Sequence, residues 1–123
     1  MNWTNWISLG SFFAFVSVAL GAFGAHAMKG KYSDYHLSIL ETAVKYQMYH
    51  ALALLAVAFV ASRIDSTAIK TAGFSFSLGI ILFSGSLYGI IFFDNKAFGW
   101  ITPIGGLAFI VGWIALLIST RAC

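Results

Sequence analysis

A chain of 123 residues that is 60% hydrophobic and only 9% charged has too few ionic side chains to cover a water-soluble globule of that size. Its seven Lys and Arg, against four Asp and Glu, are scattered singly along predicted loops. That argues against a nucleic-acid partner and leaves anionic lipid head groups as the simpler counter-charge. Cys123 is the only cysteine, so neither an intrachain disulfide nor a cysteine metal cluster is expected.

The charges cluster at Lys29 to Lys45, Arg63 to Lys70, Asp94 to Lys96 and Arg121. The intervals between them are long enough to cross a hydrocarbon core about 30 Å thick. They predict one all-α membrane domain over residues 1–123, a bundle of four antiparallel transmembrane helices at about 6–28, 43–62, 71–93 and 103–120, joined by short loops.

In the first span Ala25-His26-Ala27 has the small-x-small form of a signal cleavage site. However, no Lys or Arg precedes Lys29, and the apolar stretch is longer than a signal core, so residues 6–28 read as a retained helix. Ser17, Gly21 and Ala25 recur at four-residue spacing, with Gly24 beside them and with Ala14, Ala22 and His26 on a neighbouring stripe. Small residues let helix backbones approach closely in a bilayer, where no hydrophobic drive holds helices together.

The second span opens with "YQMYHALALL". At about 100° per residue, Tyr46, Gln47 and His50 fall within one arc, predicted to face the bundle, while Glu41 and Lys45 lie opposite as an interfacial i, i+4 pair. The third span carries Ser84 and Tyr88 beside the G-x-x-x-G pair Gly85 and Gly89. The fourth opens with Thr102 as a predicted N-cap and Pro103 at the first helical position. Gly105, Gly106, Ala108 and Gly112 follow, and Trp113 is expected against another helix or in a subunit contact. Trp3, Trp6, Tyr32, Tyr35, Phe98 and Trp100 fall at the predicted water boundaries. Lys and Arg divide four against three between the faces, which sets no orientation.

Counting about 1.5 Å per residue inward gathers His26, Gln47, Tyr88, His50 and Ser84 in one half of the membrane. This layer reads as interhelical glue or as a site, since ionisable groups inside a span are functional candidates. Burial predicts a neutral His50 at neutral pH. Haem or metal ligation by His26 and His50 is disfavoured by their difference in depth and by the lack of a carboxylate at that level. No nucleophile-base set or phosphate loop is visible, so neither a cofactor nor an enzymatic activity is expected.

"GAFGAHAMK" (21–29), "ETAVKYQMYHALALL" (41–55), "LFSGSLY" (82–88) and "ITPIGG" (101–106) resemble, in order, the motifs of the YgdD and YwdK family. These are small four-span membrane proteins also known as domain of unknown function 423, similar to transmembrane protein 256 of animals. The resemblance implies an integral protein, in bacteria of the plasma membrane, and brings no substrate or reaction. The expected role is a non-enzymatic structural or partner-binding component in the lipid bilayer, as a homo-oligomer or beside another membrane protein. The alternative is a small transporter, channel or lipid pocket built on His26, Gln47, His50 and Tyr88.

Overall fold

A long apolar stretch in lipid can satisfy its N–H and C=O groups only internally, so each predicted span becomes a helix. The computed structural model describes residues 2–121, and the expectations resting on Cys123 lie outside them. The four long helices are α1 (Trp3–Met28), α2 (Asp34–Ala61), α3 (Thr67–Phe93) and α4 (Thr102–Arg121), the last entered through a 3₁₀ turn at Lys96–Trp100. α1 packs along α2, α3 along α4, and α2 meets α3 to join the two hairpins.

Side-chain caps set two helix starts outside the apolar runs. Ser33 Oγ accepts the His36 N–H at 3.2 Å, so α2 begins at Asp34, well before the stretch predicted from 43. Ser66 does the same for Ile69 and starts α3 at Thr67. Thr102 does not cap α4 as predicted. The 3₁₀ turn leads into the helix with Ile101 O accepting from both Ile104 and Gly105, which leaves the Thr102 hydroxyl to bond Ser86 on α3.

The surface is apolar, unlike that of a water-soluble bundle, and a few polar side chains join a mostly apolar core. Phe12, Phe15, Phe59, Phe74, Leu107 and Leu117 are more than half exposed, whereas Ser17, Gln47, His50, Ser84 and Ser119 are buried. Apolar side chains facing outward suit lipid, and polar ones turned inward find partners there.

Close helix contact is concentrated at particular glycines. A Cβ at Gly105 would fall on the backbone of Phe83, and one at Gly112 would meet the Phe76 ring at 2.6 Å. Gly89 lies under Phe98, and Gly21 faces Val44. Three further contact glycines escape the sequence reading: Gly10 against the Ala51 carbonyl, Gly73 against Trp6, and Gly79 against Phe109. Conversely, Gly85 and Gly106 meet nothing within 4 Å, and Gly24 approaches only Leu20 of its own helix.

Trp6 lies at the end of the bundle beside Asn2, Asp65 and Lys70, but it is turned inward. It is fully buried, with its indole over Gly73, and its Nε1 is the one buried side-chain nitrogen or oxygen without a partner among the described residues. Trp3 and Trp100, by contrast, are exposed. Ala25, partly buried, packs beside Met28 and Leu40.

Two helices contain a π-turn, Ala19–Gly24 in α1 and Ile80–Ser84 in α3. Such a turn inserts one residue and rotates everything beyond it, and it often marks a functional segment. The π-turn of α3 ends on Ser84 and places the Phe83 backbone against Gly105.

Candidate functional site

Gln47 lies on α2 and is 3% exposed. Its Nε2 donates to Phe13 O on α1 at 2.8 Å, while its Oε1 accepts from the Tyr88 hydroxyl on α3 at 2.7 Å. One amide side chain therefore bridges three helices, using a donor and an acceptor in fixed directions. On α1, Ser17 bonds back to the same Phe13 carbonyl at 3.0 Å.

One turn along α2, His50 completes the connection to α4. Its Nδ1 lies 2.7 Å from the Tyr46 carbonyl, and its Nε2 lies 3.1 Å from Trp113 Nε1. A carbonyl can only accept and an indole N–H can only donate. These partners therefore assign the hydrogens: Nδ1 carries the proton and Nε2 is the acceptor, so the geometry fits one neutral tautomer. The imidazole also stacks on Phe109, with ring centres 3.5 Å apart and planes within 7°. Trp113 stands edge-on to Phe76 at 4.8 Å, so its indole is held against α2 and α3 although nearly half of its surface stays exposed.

Ser84 makes the remaining link. Fully buried at the end of the π-turn, its hydroxyl donates to Ala43 O on α2 at 2.7 Å. Gln47, His50, Ser84 and Tyr88 thus form a polar layer held by three separate sets of hydrogen bonds: Gln47 with Tyr88 and Phe13 O, His50 with Tyr46 O and Trp113, and Ser84 with Ala43 O.

Two predicted members lie elsewhere. The Tyr46 side chain is 40% exposed and lies against Phe83, with ring centres 4.7 Å apart. Only its carbonyl hydrogen-bonds within the layer, its ring standing nearly parallel to that of His50 at 6.2 Å, because the arc shared with Gln47 and His50 is wider than the buried face of α2. His26 is exposed near the end of α1, thirteen residues beyond the Phe13 that Gln47 contacts, or about 20 Å along the helix axis. The early start of α2 sets that separation: the last turn of α1 packs beside Leu37 and Leu40 instead of beside the layer.

Sequence reasoning also missed a link between the first turn of α2 and the end of α3. The His36 ring accepts or donates to Ser33 Oγ at 2.7 Å through Nδ1 and lies 3.2 Å from Asp94 Oδ1 through Nε2. Asp94 closes α3 in the left-handed region at φ 49, where Asp is among the better-tolerated residues. The only sequence signal was the presence of a histidine and an aspartate in the two predicted loops of one face. Elsewhere, Glu41 and Lys45 pair on the exposed side of α2 at 3.2 Å. No three His, Cys, Asp or Glu side chains come together among the described residues.

Comparison with known proteins agrees with a membrane protein. Residues 20–106 match the family model described as "Protein of unknown function (DUF423)". The chain is 50% identical to a UPF0382 membrane protein of Staphylococcus aureus over 93% of each chain. It is 48% identical to one of Staphylococcus haemolyticus over 93% of each. To the UPF0382 membrane protein YwdK of Bacillus subtilis it is 46% identical, covering 92% of this chain and 93% of the relative. No solved structure matches. With a family model spanning most of the sequence and such relatives along nearly all of it, this chain is an integral membrane protein that belongs to the DUF423 family.

Proposed function

We infer that the protein is a non-enzymatic structural component of the plasma membrane, in which the polar layer holds four helices in one register while the lipid-facing surface meets a protein partner or a second copy. The observation that supports this reading is that each polar side chain of the layer has its partners inside the bundle, on backbone carbonyls, on Trp113 or on one another. Gln47 takes one partner from α1 and one from α3, His50 one from its own helix and one from α4, and Ser84 one from α2. A conduit needs polar atoms that face a water path, whereas these atoms are taken up by backbone carbonyls, the Trp113 indole and, for Gln47 and Tyr88, each other. Interhelical bonds in lipid contribute about 0.6 kcal/mol each on average and up to about 1.7, enough in combination to select one helix register.

Proteoliposomes loaded with a pH-sensitive dye test the assignment. Wild type and His50→Gln are expected to leave the proton leak of protein-free vesicles unchanged. A leak carried by the wild type and lost in His50→Gln, with helical content and melting temperature preserved, would instead establish a proton path through the layer.

A further inference from the structure

We propose that the groove between the end of α1 and the first half of α2 binds one anionic phospholipid, its acyl chain on an apolar floor and its phosphate at Lys29. The groove has a volume of about 410 Å³, within the range of roughly 300–1,000 Å³ usual for ligand pockets. Gly21, Ala25, Leu40 and Val44 form its floor, and the α1 π-turn, Ala19–Gly24, runs directly through that wall. Gly21 sets the depth of the floor: a Cβ there would already stand 3.1 Å from Val44. Nothing from the polar layer lines this groove, so the inference is independent of the role assigned to Gln47 and His50.

Charge and position select the occupant. Two lysines, Lys29 and Lys45, and one carboxylate, Glu41, line the groove. Glu41 is neutralised by Lys45 at 3.2 Å, and Lys29 makes no ion pair among the described residues. The rim therefore carries one uncompensated positive charge. The Glu41–Lys45 pair stands where the second apolar stretch begins, at about residue 43, so the groove straddles the boundary between charged and apolar surface. A molecule matching it is negative at one end and hydrocarbon at the other, held as basic sites between spans hold anionic head groups. A free phosphate ion would leave the apolar floor unused, and a zwitterionic lipid would not answer the net charge.

The test is native mass spectrometry of the full-length protein in detergent, titrated with phosphatidylglycerol or phosphatidylcholine. Wild type is expected to take up one phosphatidylglycerol in preference to phosphatidylcholine. Lys29→Ala is expected to weaken that adduct about five-fold, the effect of losing one lysine near an anionic head group. Ala25→Leu, which fills the floor, should weaken both lipids, while Lys31→Ala, outside the groove, should change neither. Lys29 is exposed, so its replacement does not threaten folding and keeps the test decisive if Ala25→Leu fails to fold. Equal binding of the two lipids, or undiminished phosphatidylglycerol binding by Lys29→Ala, would overturn the proposal. Displacement of the lipid by inorganic phosphate would overturn it in favour of a simple anion site, and a retained polypeptide mass in favour of a protein ligand.

Discussion

Gly105→Val prevents the bundle from assembling, while Gly106→Ala, one residue away, leaves it intact or slightly more stable. At Gly105 the added Cβ falls on the Phe83 backbone nitrogen and Cα, atoms that no rotamer change can move. Relief requires α3 and α4 to separate, which also disturbs the Phe109 ring on which His50 stacks. Inserting atoms into packed interiors costs typically about 1–3 kcal/mol, backbone shifts included, and occasionally more, and a direct clash with backbone places Gly105→Val at the upper end, about 3 kcal/mol or more. At Gly106 nothing lies within 4 Å, and alanine is the better helix former by about 1 kcal/mol. Reversible unfolding in mixed micelles measures both variants. Similar stabilities for the two would show that the α3–α4 contact is looser than described.

The second large effect is at Gln47. Replacement by leucine nearly preserves volume but removes the bonds to Phe13 O and from the Tyr88 hydroxyl together. Two interhelical bonds at about 0.6 to 1.7 kcal/mol each set an expected loss of roughly 1–3 kcal/mol. The hydroxyl of Tyr88 is then left without its acceptor, so Tyr88→Phe should cost less in the Gln47→Leu background than in wild type. A double-mutant cycle reads this difference as a coupling energy of about 0.5 kcal/mol or more. Purely additive effects would mean that the two side chains do not share a bond.

Much of the architecture could be read directly from composition, because a charge-poor chain interrupted by four charged clusters has few solutions other than four spans. Gln47, His50, Ser84 and Tyr88 were readable for a related reason: each is a polar group within an apolar run, and lipid supplies no partner for it. What could not be read is the register between helices. His26 is assigned to the layer only if the ends of α1 and the second apolar run are level, and the Ser33 cap makes α2 start earlier. Trp6 sits at a sequence position suited to the water boundary, but its burial depends on Gly73 arriving opposite it from another helix. Counting 100° per residue also fails beyond a π-turn, and neither Ala19–Gly24 nor Ile80–Ser84 is marked by a proline. Tyr46 shows the limit of a face count from one helix: three residues share an arc, and only two of their side chains are buried.

Trp113 illustrates a partial success of the same reasoning. Its position inside the fourth span announced a contact with another helix or with a subunit, and the structure shows the first, but nothing in the sequence named His50 as the acceptor. That pair now carries the strongest constraint on the layer, since it leaves the imidazole only one neutral arrangement of hydrogens.

The state of that ring tests the closed layer most directly. In protein with ¹⁵N-labelled histidine, reconstituted in lipid at neutral pH, nitrogen NMR distinguishes a protonated from an unprotonated ring nitrogen at His50. The closed layer requires a protonated Nδ1 and an unprotonated Nε2, with Nε2 losing its hydrogen-bonded signature in Trp113→Phe. A charged imidazolium, or a proton on Nε2, would contradict it, because neither can accept the Trp113 indole N–H.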